Sequence, residues 1–95
     1  MGAVPEMTFH VRWPDGRAQA CYSPSLVVAE HLAVGASYPV ADFVARSRTA
    51  LGIASARVQE KYGFPCALAA RSLALIEGEA ARAGAGEVLV ERFEQ

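Results

Sequence analysis

The sequence has little of several features that point directly to a function. Its 95 residues include only two cysteines, Cys21 and Cys66, which form neither a disulfide framework nor a metal-ligand spacing. Charged residues are 20% of the chain and the formal net charge is −1, so no bulk attraction to nucleic acid or to an acidic membrane is expected. No apolar run approaches the roughly 18 residues of a membrane span. We therefore predict a cytoplasmic protein with reduced thiols and no metal or cofactor, nucleic-acid partner or membrane partner.

The amino-terminal stretch "MGAVPEMTFH" also lacks the basic region and apolar run of a secretory signal. We expect its first six residues to be a flexible extension. Hydrophobic residues are 53% of the chain, a composition typical of a globular protein. The length predicts one domain over residues 1–95.

A β-hairpin is the clearest local signal that is present. "MTFHVRW" alternates apolar and polar residues, "WPDGR" contains turn formers, and "RAQACY" supplies a return strand. A two-residue turn would place His10 opposite Cys21, whereas a type I turn with Gly16 as a bulge would place Phe9 there. Proline at position 14 favours the second register. That register separates His10 from the thiol for which it could act as a base.

The stretch "CYSPS", residues 21–25, follows this hairpin and has two interpretations. In one, Ser23 caps a short helix "PSLVVAEHL", with Pro24 at its first position, before an extended link "SYPV". In the other, Cys21, Tyr22, Ser23 and Ser25 form a reactive or ligand-binding pocket. The usual behaviour of a free cysteine as a small buried hydrophobe favours the first.

A long helix over residues 41–62 is the strongest helical prediction. Its apolar stripe comprises Val40, Phe43, Val44, Ser47, Leu51, Ala54, Val58 and Tyr62. The opposite face is small or apolar rather than charged, and comprises Ala45, Thr49, Gly52, Ile53 and Ala56. Such a surface permits close approach either by the next helix or by another protein.

The rest of the chain predicts a third helix over 65–83, opened by Pro65, and a final strand "EVLVERF". In that strand Val88 and Val90 point to one side, and Leu89 and Phe93 to the other. The order β-β-α-α-α-β predicts a small α+β domain. We expect a three-stranded, mainly antiparallel sheet with helices on one face. The last strand could pair with either edge of the hairpin.

Trp13 and Arg12, at the hairpin turn, form a further candidate contact. Tryptophan and arginine are common anchors of protein interfaces. The alternative is that Trp13 covers the end of the core, since a tryptophan is often highly but incompletely buried.

Several stretches together resemble a family of small bacterial nitrogen-starvation response proteins. They are "VRWPDG", "CYSPSLVV", "SYPV", "FVARSRTAL", "ASARV" and "KYGFPC", and the resemblance runs from about Pro5 to Phe93. Such proteins are encoded with a nitrilase, a radical S-adenosylmethionine protein, an N-acetyltransferase and a flavin-dependent oxidoreductase. The resemblance implies a role beside such enzymes and supplies no catalytic residue.

The prediction is a non-catalytic accessory or interaction protein of nitrogen or nitrile metabolism. Its partner would be an enzyme of the same gene cluster or a second copy of the chain. The alternative is a small enzyme or metabolite-binding protein that uses the segment from Cys21 to Ser25.

Overall fold

The computed structural model describes residues 6–95, so most of the predicted amino-terminal extension lies outside the described residues. The strands are β1 (Met7–Arg12), β2 (Ala18–Ser23), β3 (Ser37–Pro39) and β4 (Glu87–Glu94). The helices are a 3-10 helix (Leu26–Glu30), α1 (Val40–Tyr62) and α2 (Ala67–Ala83). The α+β class is confirmed.

The hairpin of β1 and β2 adopts the bulged register. The backbone N–H of Trp13 donates to the Arg17 carbonyl at 2.8 Å, and the N–H of Gly16 donates to the Trp13 carbonyl at 2.9 Å. Gly16 has a φ of 93°, which an L side chain rarely adopts and which the bulge position requires. As a result Phe9 lies opposite Cys21, as the proline at position 14 predicted.

The sheet has four strands in the order β2-β1-β4-β3, all antiparallel, so the prediction of three strands was wrong. The extra strand is formed by Ser37–Pro39, the first three residues of the predicted link "SYPV", and Tyr38 pairs with Val88. Two backbone hydrogen bonds hold the residues just before this strand against β4. The Gly35 N–H donates to the Val90 carbonyl at 2.7 Å, and the Val90 N–H donates to the Ala36 carbonyl at 3.0 Å. The last strand pairs with β1 rather than β2, which leaves β2 as an outer strand.

Strand β4 contains a bulge that the alternation in its sequence does not show. Val90 lies opposite Val11, but the next pair along β1 is His10 with Arg92, so Glu91 is an extra residue. A bulge changes which face the later side chains occupy. Phe93 therefore lies opposite Phe9 and packs against the core, and its predicted placement on the side opposite Val88 and Val90 was wrong.

The helices differ from the prediction mainly at their starts. Helix α1 covers the predicted range and ends at Tyr62, and the next residue, Gly63, has a φ of 86° that is typical of a carboxyl-terminal cap. Helix α2 begins at Ala67 with Cys66 as its cap, two residues after the predicted start at Pro65. The predicted helix "PSLVVAEHL" is instead five residues of 3-10 helix.

The core lies between one face of the sheet and the helices, as predicted. Strand β1 contributes Met7, Phe9 and Val11, which are almost completely buried. The long helix contributes Phe43, Ala50, Leu51 and Ala54, whereas Tyr62 at the end of its predicted stripe is half exposed. Among the described residues, no helix is both long and apolar enough to cross a membrane.

Candidate functional site

The thiol of Cys21 is part of the core. Its side chain is 2% exposed and faces inward beside Phe9. Burial raises its pKa to about 12, because a thiolate loses its hydration in an apolar site. His10 points to the opposite face of the sheet, pairs with Ala20, and contacts Glu94 with Nε2 2.8 Å from Oε1. A His10–Cys21 dyad is therefore not assembled, and the buried-hydrophobe interpretation holds.

The two serines of "CYSPS" bond to the neighbouring backbone. Ser23 Oγ donates to the Ser25 carbonyl at 2.7 Å and accepts from the Ser25 N–H at 3.2 Å. Ser25 Oγ accepts from the Val27 N–H at 3.2 Å and from Arg57 Nη1 at 3.0 Å. Ser25 rather than Ser23 therefore caps the 3-10 helix, and the predicted cap at Ser23 was wrong. Both serines are buried. These hydrogen bonds satisfy their hydroxyl groups, as burial of a polar group requires.

Tyr22 is the one member of this segment that reaches solvent. It is half-buried, and its hydroxyl donates to Glu6 Oε2 at 3.0 Å. Burial, followed by the bond to the Glu6 carboxylate, raises the pKa of Tyr22 to about 12. Both effects favour the neutral phenol, so Tyr22 is not poised as a base near neutral pH. Within residues 6–95, no cluster of three or more histidine, cysteine, aspartate or glutamate side chains forms a candidate metal site.

The environment of Trp13 favours the alternative in which this side chain covers the end of the core. It is 2% exposed, its Nε1–H donates to Gln19 Oε1 at 2.8 Å, and its ring meets Phe43 edge-on with centroids 5.5 Å apart. Such an aromatic contact stabilises beyond simple burial. Its neighbour Arg12 is exposed and bonds Glu91 Oε2 at 2.8 Å and the Gly16 carbonyl at 2.7 Å. Trp13 and Arg12, which were predicted together as a candidate contact, therefore occupy different environments, because Trp13 is buried and Arg12 is exposed.

The second face of α1 is open surface rather than packing between helices. All five of its predicted members are exposed, namely Ala45, Thr49, Gly52, Ile53 and Ala56. Helix α2 lies along the flank of α1, where Arg48 Nη2 bonds Glu77 Oε2 at 2.7 Å. A Cβ added at Gly52 would meet no atom within 4 Å. We call these five residues the α1 outer face.

A groove lies at the outer edge of β2, and the sequence patterns did not predict it. It has a volume of about 390 Å³ and is lined by Trp13, Arg17, Ala18, Gln19, Ala20, Leu75 and Glu79. Arg17 and Glu79 form an ion pair across it. The signal available in the sequence was the seven-residue spacing of Leu68 and Leu75, both more than half exposed on α2. That spacing puts them on one side of a helix but does not identify the strand beside it.

A family model described as nitrogen starvation-induced protein NitG matches residues 8–93. The match includes all four strands except the first residue of β1 and the last residue of β4. Comparison with curated proteins and with solved structures gives no significant match.

Proposed function

Because the chain belongs to the family of nitrogen starvation-induced proteins named NitG, we propose that it is a non-catalytic accessory protein of nitrogen or nitrile metabolism. Its partner is an enzyme of the same metabolism, encoded in the same gene cluster. The observation that carries this proposal is the α1 outer face. It is exposed, uncharged and built of small or apolar side chains over about three turns of helix.

The composition of the α1 outer face suits contact with a protein. Small side chains such as Ala45, Gly52 and Ala56 let a second backbone approach closely, and removing them from water carries no cost of burying charge. Two ion pairs border the face: Arg46 with Asp42 on α1, and Arg48 with Glu77 of α2. An uncharged centre with a polar border is the usual anatomy of a protein interface.

The environment of the "CYSPS" segment supports a role other than chemistry there. A nucleophilic cysteine requires a stabilised thiolate, whereas burial of Cys21 acts in the opposite direction. The hydroxyls of Ser23 and Ser25 hold the start of the 3-10 helix. These contacts favour a structural role for the segment over the alternative of a small enzyme or metabolite-binding protein.

The proposal is tested by capturing partners from nitrogen-starved cells with tagged wild-type protein and the variant Gly52→Glu. A glutamate at position 52 places a charge in the α1 outer face without a clash, and it raises helix propensity because glycine is a poor helix former. The matched control is Gly78→Glu on α2, where an added Cβ also meets nothing within 4 Å. Circular dichroism verifies that both variants fold.

We expect the wild type and Gly78→Glu to retain an enzyme of nitrogen metabolism and Gly52→Glu to lose it. Equal retention by the folded Gly52→Glu variant would remove the α1 outer face from the proposal. Capture of no enzyme by the wild type would contradict the accessory role itself.

A further inference from the structure

The outer edge of β2 has backbone groups without strand partners. The bond from the Trp13 N–H to the Arg17 carbonyl fixes the alternation of the hairpin, because bonded pairs recur at every second residue of an antiparallel ladder. The odd-numbered residues of β2 therefore bond to β1. The backbone N–H and C=O groups of Ala18, Ala20 and Tyr22 point to the free edge.

The two edges of the sheet are built differently. The β3 edge is three residues long and includes Pro39, which has no N–H to offer. The β2 edge is six residues long, and its sequence "AQACYS" contains no charge and no proline. Proteins usually protect a free edge with charged residues or proline. Because the β2 edge has neither, it is competent to pair with a further strand.

Helix α2 places two exposed leucines beside this edge. Leu75 lines the groove beside Ala18 and Ala20, and it is 52% exposed. Leu68, two turns earlier on the same side of the helix, is 55% exposed. A partner strand that pairs with β2 would therefore place the partner's neighbouring helix or strand against these two leucines.

We propose that a second copy of this chain occupies this edge. The two β2 strands pair antiparallel about a two-fold axis, which joins the two sheets into one continuous sheet, and the two α2 helices pack antiparallel with Leu75 near the axis. An antiparallel edge is self-complementary, because the two-fold axis presents each strand with an identical strand of opposite direction.

The charges on α2 fit this arrangement. With Leu75 at the axis, the residue four positions before it, Arg71, faces the residue four positions after it, Glu79, in the other copy. Glu79 already pairs with Arg17 of its own chain, whereas Arg71 forms none of the ion pairs found within residues 6–95. In the dimer, each Arg71 faces the Glu79 carboxylate of the other copy, so the two-fold axis relates two such contacts between opposite charges.

This dimer goes beyond the proposed accessory role. Helix α2 contacts β2 and lies on one flank of α1, while the α1 outer face points away from the sheet. Both copies of that face stay accessible in the dimer, so one dimer would present two sites to a partner. The dimer and the partner contact use different residues, and either can fail without the other.

The test is the solution mass of the purified chain, measured by light scattering and by sedimentation over a range of concentrations. We expect the wild type to approach twice the chain mass of 10.1 kDa. Ala20→Pro removes an N–H on the free edge while leaving the ladder to β1, and we expect it to remain folded and monomeric. Gly52→Glu, on the α1 outer face, serves as the control that stays dimeric.

A charge exchange gives a second test that does not depend on the proline variant folding. Arg71→Glu alone places two carboxylates together at each contact, and Glu79→Arg alone places two guanidinium groups together. Each variant should therefore dimerise at least about tenfold more weakly than the wild type. Mixing the two variants restores opposite charges across the axis, and we expect a mixed dimer. A wild type that stays monomeric at every concentration would overturn the proposal, and so would a dimer that is unchanged in the charge variants but lost in Gly52→Glu.

Discussion

The burial of Cys21 predicts a very slow reaction with a thiol reagent such as iodoacetamide. Only the thiolate reacts, and the ordinary pKa of a cysteine thiol is 9.0. In the folded chain burial raises the pKa of Cys21 to about 12. At neutral pH the thiolate population of the folded chain is therefore roughly 1,000-fold lower than that of the unfolded chain. The 2% exposure of the side chain slows the reaction further.

Global unfolding sets the limit of this protection. A ratio of roughly 1,000 corresponds to about 4.1 kcal/mol, and small domains are stable by about 5–15 kcal/mol. Transient unfolding therefore does not expose Cys21 often enough to hide the effect. The protection should disappear in denaturant, where the two cysteines become equivalent.

The assay is a time course of alkylation at pH 7.5, read by peptide mass for each cysteine, with and without denaturant. We expect the rate at Cys21 to fall by at least about a thousandfold in the folded protein. Cys66, which is partly exposed, is the internal reference that reports reagent quality. A folded-state rate at Cys21 within tenfold of the denatured rate would refute the burial argument and revive the reactive-pocket alternative.

Three further changes are predicted from local geometry. Gly86→Ala should cost about 1–3 kcal/mol of unfolding free energy, because its φ is 131° and the new Cβ would lie 2.6 Å from Pro14 Cβ; Gly78→Ala, with no such contact, should instead stabilise by about 0.5–1 kcal/mol. Ser25→Ala should cost about 1 kcal/mol by removing the helix cap. Denaturant titrations measure all three, and a neutral Gly86→Ala would contradict the contact with Pro14. Stability should also fall as pH rises from about 9 towards 12, because the thiol of Cys21 ionises first in the unfolded chain. The variant Cys21→Ala should lack that contribution, and equal pH profiles for both proteins would argue against it.

The sequence by itself determined the elements that depend on local chemistry. Alternation predicted β1 and β2, the proline and glycine of "WPDGR" predicted the bulged turn, and helical spacing predicted α1 with its uncharged second face. Each of these signals acts within a few residues, through backbone sterics or side-chain periodicity. The resemblance to nitrogen-starvation proteins also rests on short sequence motifs, and the family match over residues 8–93 confirms it.

Only the tertiary structure decided the features that depend on distant neighbours. "SYPV" is a strand because Val88 and Val90 offer it a ladder, and the bulge at Glu91 shows itself only against β1. Whether the α1 outer face packs inside or remains open depended on where α2 lies. The free edge of β2 likewise depends on strand order, which follows from burial of the whole core rather than from any short stretch of residues.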